Sequence, residues 1–169
     1  MKDESIVFYA AAEYEAIPVI VFSTHNGIRK LIFKQLPPSR LKINPLMLKP
    51  DDPLMFNVFD QLSDYFNMKS KEFSVPFDIV GTAFQLNVWS EINKIPFGET
   101  KSYKEIGEAI GYKGGFQAIG NAVGANPLPI IIPCHRVLGH TGQLTGYSGG
   151  LHIKKKLLEI EGKLTPELF

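Results

Sequence analysis

Cysteine is almost absent from this chain, which has a single one, Cys134, among 169 residues. One thiol cannot form an internal disulfide, and it cannot build a cluster of thiolates around a metal ion. We therefore expect a protein of a reducing compartment, with no thiolate metal site and no disulfide framework.

An excess of charge and a long apolar run are also missing. The chain has 18 Lys and Arg against 17 Asp and Glu, so it lacks the strongly basic field that is typical of a general nucleic-acid binder. No apolar run approaches the roughly 18 residues that a membrane-spanning helix needs. The first residues, M-K-D-E-S-I-V, do not look like a targeting signal. We expect a cytoplasmic protein without membrane contact, and any contact with DNA must be local.

The N-terminal half has the pattern of a β-hairpin followed by a helix. Two β-rich segments within 19–34 are joined by Asn26-Gly27, a dipeptide that favours a tight turn. Residues 35–50 include four prolines and are expected to be irregular. Asp52 as a cap and Pro53 at the first helical position then predict a helix. Its apolar face would consist of Leu54, Val58, Leu62 and Tyr65.

The C-terminal half follows a strand-like linker over 69–81 and has the pattern of three helices. Capping boxes, in which two side chains satisfy each other's backbone N–H groups, open the first two helices. The boxes pair Thr82 with Gln85 and Ser102 with Glu105. A glycine-rich turn over 111–115 separates the second helix from the third, over 116–125. Two short helices across such a turn suggest a helix-turn-helix, although ordinary helical cores contain the same arrangement.

The third helix is unusually rich in small residues. They are Ala118, Gly120, Ala122, Gly124 and Ala125. Two glycines in a helix cost about 2 kcal/mol relative to alanine, so something must approach this backbone closely. A neighbouring helix could do so, and so could DNA, whose minor groove is only about 6 Å wide.

Cys134 follows an isoleucine run that is expected to be a strand, and prolines on either side of that run fix the backbone. A lone cysteine is often a small buried hydrophobe. A thiol presented rigidly at the end of a strand is instead placed like a nucleophile. It would need a base or positive surroundings to lower its usual pKa of about 8.5. His135 and Arg136 are the local candidates, and a carboxylate orienting the histidine would complete the relay.

Several separated motifs carry a resemblance to a known family. They are I-P-C-H-R-V at 132–137, N-P-L-P-I at 126–130, I-P-F-G-E-T-K-S-Y at 95–103 and G-Y-S-G-G-L at 146–151. In order and spacing they resemble the O6-alkylguanine-DNA alkyltransferases, over roughly residues 75 to 163.

The resemblance implies an enzyme of direct-reversal DNA repair, a methylated-DNA–protein-cysteine S-methyltransferase without a cofactor. Such a protein binds double-stranded DNA in the minor groove and flips the O6-alkylguanine out of the duplex. It then transfers the alkyl group to its own cysteine irreversibly, so each molecule acts once. We expect a monomer, with O4-alkylthymine as a further candidate substrate.

The resemblance also assigns roles to single residues. Cys134 would accept the alkyl group, His135 would take the thiol proton through a water molecule, and Glu161 would orient His135. Tyr103 would give a proton to guanine N3, and Asn126 would stiffen the turn before the active-site strand. The base pocket would be walled by Val123, Pro129, Tyr147 and Ser148, and DNA would be contacted by Gln117, Ala118, Gly120 and Tyr103.

The implied fold is α/β in two parts. Residues 1–74 would form a small antiparallel sheet with a helix, ribonuclease-H-like in type. Residues 75–169 would form a mostly helical catalytic domain that contains the helix-turn-helix.

The chain departs from the family pattern in two respects. The family places an arginine on the recognition helix to fill the gap left by the flipped base, and Gln117 stands there instead. Glutamine can hydrogen-bond the orphaned cytosine, but it brings no charge and has less reach. Some members bind zinc through cysteines and histidines of the N-terminal half, and this chain has no cysteine there to supply a thiolate.

Two other functions remain open on the sequence. A non-catalytic alkyltransferase-like sensor would bind alkylated DNA without repairing it, but such sensors lack the cysteine that Cys134 supplies. An unrelated cysteine hydrolase could use Cys134 and His135, although hydrolases of that kind place the histidine far away in sequence.

Overall fold

The structure, a computed structural model, describes residues 8–34 and 46–164. It has mixed α/β architecture, as predicted, and the chain divides into two compact units, Met1–Val80 and Gly81–Phe169. The domain boundary expected from the sequence, between residues 74 and 75, lies six residues before this division. Most of the proline-rich segment over 35–50 and the first seven residues lie outside the described residues. No helix in the described ranges is long and apolar enough to cross a membrane.

The first unit contains a four-stranded sheet in the order β3-β2-β1-β4. Its strands are β1 (Phe8–Tyr14), β2 (Ile17–Ser23), β3 (Ile28–Ile32) and β4 (Leu46–Met47). The predicted hairpin is confirmed as β2 and β3, which are antiparallel. The expected antiparallel sheet is nevertheless mixed, because β4 pairs parallel with β1.

The predicted helix after Asp52 is wrong in one respect, because it is broken in two. Asp52 accepts a hydrogen bond from the backbone N–H of Leu54 at 2.9 Å, but this cap opens only a short 3₁₀ turn, Pro53–Met55. Phe56 and Asn57 then adopt left-handed backbone angles, with φ of 52° and 56°. The helix α1 (Val58–Phe66) begins after this break. The break shifts the register, so Met55 is buried where Leu54 was expected.

The second unit contains four helices and a two-stranded parallel sheet among its described residues. They are α2 (Ala83–Ile92), β5 (Lys101–Ser102), α3 (Tyr103–Ala109), α4 (Phe116–Gly124), β6 (Val137–Leu138) and α5 (Leu151–Ile160). Both predicted capping boxes are present at α2 and α3. Helix α4 packs against α2 and α3, and the indole N–H of Trp89 donates to the carbonyl of Ala122 on α4 at 2.8 Å.

The predicted strand before Cys134 is absent. Residues 129–131 form a turn instead, in which Ile130 has a φ of 73°. A 3₁₀ turn, Cys134–Arg136, follows and leads into β6. The prolines explain the difference, because a proline has no N–H to donate to a ladder of strand hydrogen bonds. The isoleucines are buried as expected, but they are buried in a turn.

Candidate active site

Asn126 fixes the turn that carries the thiol. Its side-chain amide donates to the carbonyl of Ile132 at 2.7 Å, and its amide oxygen accepts from the backbone N–H of Leu128 at 3.0 Å. A buried amide with both ends bonded to backbone fixes the course of the chain between them. Cys134 therefore starts its 3₁₀ turn from a defined position.

The thiol of Cys134 is buried, with 4% of the residue exposed. Burial raises its pKa to about 11, while a hydrogen bond from the side chain of Asn126 and the charge of Lys154 act in the opposite direction. The groups that lower the thiol pKa therefore include Asn126 and Lys154, and Arg136 is not one of them, contrary to the sequence argument. At neutral pH the resting group is a thiol, so it must lose its proton during reaction.

His135 lies against Glu161 in a fully buried pair. The Nε2 atom of His135 and Oε1 of Glu161 are 2.7 Å apart, and neither side chain is exposed. Burial lowers the pKa of His135 although Glu161 opposes this effect, so the ring is neutral at pH 7. Since the carboxylate can only accept, the ring proton lies on Nε2 and the lone pair on Nδ1. Among the described residues, Nδ1 of His135 has no hydrogen-bond partner, and it can accept a proton.

Glu161 is ionised because four N–H groups point at its two oxygens. Besides His135, Arg136 donates through Nε and Nη2, each at 2.9 Å, and the backbone N–H of Gly98 donates at 3.0 Å. Burial raises the pKa of Glu161, but the hydrogen bonds from His135 and Arg136 outweigh it and hold the pKa at about 2. Arg136 also donates to the carbonyl of Ile95 at 2.6 Å. The predicted orienting carboxylate is therefore in contact with the histidine.

Lys154 is the second buried cation of the site, and none of it is exposed. Its ammonium group donates to the carbonyl oxygens of Val137 at 2.7 Å and Thr145 at 3.0 Å. Burial lowers its pKa to about 8, while Cys134 raises it. Its effect on the thiol depends on burial, which the sequence around it does not indicate.

A cavity of about 770 Å³ lies beside α3 and α4. It is lined by Tyr103, Lys104, Phe116, Gln117, Gly120, Gly124, His140, Thr145 and Gly146. The lining thus includes three residues that were predicted from the resemblance: Tyr103, Gln117 and Gly120. The hydroxyl of Tyr103 lies 2.9 Å from that of Thr145, a residue that sequence reasoning did not single out.

The other predicted pocket and DNA-contact residues do not line this cavity. Val123 and Pro129 are buried, Ala118 and Tyr147 are half-buried, and Ser148 is exposed. Ala118 instead borders a smaller pocket of about 270 Å³ between α2 and α4. The structure thus places His135 against Glu161 and places Tyr103, Gln117 and Gly120 on one cavity.

The glycines of α4 have open space above them. A methyl group built on Gly124 would meet no atom within 4 Å, and one on Gly120 would meet only the ring of Tyr103, at 4.0 Å. Packing of α4 against its neighbours therefore does not require glycine at either position. Of the two explanations for small residues in this helix, a partner outside the described structure is favoured.

Within the described residues, no group of three or more His, Cys, Asp and Glu side chains could hold a metal ion. The donors around Cys134 are instead engaged with one another. Glu161 is surrounded by N–H groups, and the Lys154 ammonium group is engaged with backbone carbonyls.

A cysteine nucleophile needs a base and positive charge near its thiol, and Cys134 has the Lys154 charge and the His135–Glu161 pair available to it. Residues 83–163 match the family model described as "6-O-methylguanine DNA methyltransferase, DNA binding domain". The matching family is one of DNA methyltransferases.

Relatives and solved structures match a longer part of this chain than the family model does. A methylated-DNA–protein-cysteine methyltransferase of Mycobacterium bovis is 48% identical over 69% of this chain and 71% of the relative. The inducible enzyme of Bacillus subtilis is 38% identical over 95% of this chain and 87% of the relative. The crystal structure of Mycobacterium tuberculosis O6-methylguanine methyltransferase is 36% identical with a TM-score of 0.82, covering 96% of this chain and 97% of that one. The chain belongs to the methylated-DNA–protein-cysteine methyltransferase family.

Replacing Glu161 with glutamine tests the buried network. We expect Glu161→Gln to lower the free energy of unfolding at pH 7 by about 3 to 5 kcal/mol, because Arg136 would lose its buried counter-charge. The folded-state pKa of Glu161 is about 2, below its usual 4.5. Its stabilising contribution is therefore complete above about pH 5 and is lost as the pH falls toward 2. The variant should lack this part of the acid dependence in urea unfolding followed by circular dichroism.

Glu108→Gln is the matched control, because the Glu108 side chain is 63% exposed and its oxygen lies 3.7 Å from Lys104. It should change stability by less than about 0.5 kcal/mol. Equal stability of the two variants at pH 7 would show that the Glu161 network does not stabilise the second unit.

Proposed function

We propose that this chain repairs O6-alkylguanine in double-stranded DNA by a single irreversible transfer of the alkyl group to Cys134. Family membership gives the activity itself, DNA repair by alkyl transfer to a protein cysteine. The observation that supports the assignment to residues is the buried pair His135–Glu161, whose histidine follows the only cysteine of the chain in sequence. A hydrolytic role is not supported, because this histidine adjoins the cysteine in sequence.

The first chemical step is proton transfer from the thiol. The free lone pair on Nδ1 of His135 accepts this proton, through a bridging water molecule in our proposal. Glu161, already ionised, stabilises the imidazolium ion that forms. The positive charge of Lys154 and the amide of Asn126 stabilise the thiolate, as their effects on the pKa of Cys134 indicate. The result is a soft thiolate that is buried in the site.

The second step breaks the bond between the alkyl carbon and O6. The sulfur forms a new bond to that carbon, and the electron pair of the broken bond passes into the guanine. A proton from the Tyr103 hydroxyl to guanine N3 neutralises the departing base. The transfer involves no oxidation or reduction. His135 takes up one proton and Tyr103 gives up one, so the reaction consumes no co-reactant. Because the thioether formed on Cys134 is stable, each molecule acts once.

DNA binding is proposed to use α3 and α4 as a helix-turn-helix that enters the minor groove. The open space above Gly120 and Gly124 supports close approach of a ligand to the backbone of α4. Gln117 is exposed at the start of this helix, as a residue that fills the gap of a flipped base must be. Ala118 and Gly120 contribute little bulk. The near-zero net charge agrees with a contact that depends on shape.

Val123, Pro129, Tyr147 and Ser148 remain the proposed walls of the base pocket. Tyr147 and Ser148 would wall it from the 140–150 loop, with Val123 and Pro129 on the opposite side. We further propose that the protein acts as a monomer in the cytoplasm, that O4-alkylthymine is a second substrate, and that the first unit is ribonuclease-H-like.

Cys134→Ser tests the acceptor. A serine hydroxyl is too weakly acidic to ionise in this site, so we expect no detectable transfer, while the affinity for DNA stays within about 2-fold of the parent. Transfer is measured as label moving from a duplex with one labelled O6-methylguanine to the protein, and affinity by gel shift. Label on the serine variant would mean that another residue accepts the alkyl group.

Gln117→Arg tests the departure on α4. Arginine adds a charge and a longer planar donor, so we expect duplex affinity to rise by about 3- to 10-fold at moderate salt. Met68→Arg is the control, since Met68 is 67% exposed and belongs to the first unit. It adds the same charge without placing it on α4. An equal gain in duplex affinity in both variants would mean that net charge alone causes the effect. No gain in either variant would mean that position 117 does not contact DNA.

A further inference from the structure

We infer that Thr145 is a positioning residue for Tyr103. The Thr145 hydroxyl orients the Tyr103 hydroxyl toward the cavity, and it stabilises the Tyr103 oxygen when the Tyr103 proton leaves. The inference rests on the proposed alkyl transfer and deepens it. Neither the family motifs nor the composition of the chain pointed to Thr145.

The geometry of the two hydroxyl groups carries this inference. The Tyr103 hydroxyl oxygen and Thr145 Oγ1 are 2.9 Å apart, and either can donate. Both residues line the same cavity of about 770 Å³, and both are half-buried. The hydrogen bond therefore lies at the cavity wall, where a ligand could reach the Tyr103 hydroxyl.

Thr145 is itself fixed by the buried part of the site. Its carbonyl oxygen accepts from the Lys154 ammonium group at 3.0 Å, and the same group donates to the carbonyl of Val137 at 2.7 Å. Val137 directly follows the 3₁₀ turn of Cys134 and pairs with Lys101, two residues before Tyr103. Thr145 thus belongs to a chain of contacts that joins the turn Cys134–Arg136, here called the thiol turn, to Tyr103, the proposed proton donor.

The chemistry gives the threonine hydroxyl a defined task. When Thr145 donates to the Tyr103 oxygen, the Tyr103 proton is free to point into the cavity. As that proton passes to the ring nitrogen of the bound base, negative charge develops on the Tyr103 oxygen. A hydrogen bond to an ionised acceptor is roughly twice as strong as a neutral one, so the contact stabilises the transition state more than the resting state.

Two replacements separate the hydroxyl from the shape of the side chain. Thr145→Val keeps the shape and removes the hydroxyl, whereas Thr145→Ser keeps the hydroxyl. Both retain the backbone carbonyl that accepts from Lys154. Thr141→Val is the matched control, since Thr141 is an exposed residue of the same loop and does not line the cavity.

The experiment is single-turnover transfer from an O6-methylguanine duplex at saturating protein, with duplex affinity measured in parallel. We expect Thr145→Val to slow transfer about 10-fold at unchanged affinity, which is the order of magnitude for one charge-assisted hydrogen bond. Thr145→Ser should stay within about 3-fold of the parent, and Thr141→Val should transfer at the parent rate.

A positioning role and a merely structural role differ in two further measurements. In a Tyr103→Phe background, Thr145→Val should cause no additional loss, because the group it acts on is gone. Alkylation of Cys134 by iodoacetamide needs no proton donor for its leaving group, so Thr145→Val should not slow it. An additional loss in the Tyr103→Phe background, or an equal loss with iodoacetamide, would overturn the inference.

The proposed function and this inference can fail separately. If the parent protein moves no alkyl group to Cys134, the proposed function is wrong. If the parent transfers normally and Thr145→Val matches it, only the role of Thr145 is wrong.

Discussion

The buried carboxylate of Glu161 is the interaction on which the rest of the site depends. It receives N–H groups from His135, Arg136 and Gly98, and so joins the end of α5 to the thiol turn and to the segment before β5. Arg136 balances the charge of Glu161, while burial lowers the pKa of His135 and keeps its ring neutral, with a lone pair on Nδ1. A buried carboxylate without these partners would cost several kcal/mol, so structural and chemical functions coincide in one side chain.

The sequence predicted best those elements that local contacts determine. The capping boxes at α2 and α3 and the hairpin at Asn26-Gly27 were confirmed, because each depends on residues a few positions apart. Three features were not predicted: the β1–β2 turn, where Glu15 and Ala16 have φ of 50° and 61°, the break before α1, and the turn over 129–131. In each, residues other than glycine adopt left-handed backbone angles, which residue type alone rarely indicates.

The candidate site was predictable to the extent that motifs carry it. Spacing alone suggested Cys134 and His135 as a nucleophile and its partner, and the resemblance supplied Glu161, Tyr103 and Asn126. Lys154 and Thr145 were harder to find, because they act on the thiol turn and on Tyr103 through contacts across the fold, including backbone carbonyls. Such contacts leave no pattern of residue types. They become visible only when the fold brings α5, the 140–150 loop and α3 together.

The central claim is that Cys134 accepts one alkyl group from DNA, once per molecule. The most direct measurement is the intact mass of the protein after mixing with an equimolar duplex that contains one O6-methylguanine, followed by peptide mapping. We predict a single methyl increment on Cys134 that does not rise when more duplex is added. An unchanged mass with the duplex tightly bound would contradict the account and indicate a sensor of damage, and a methyl group on any other residue would contradict it as well.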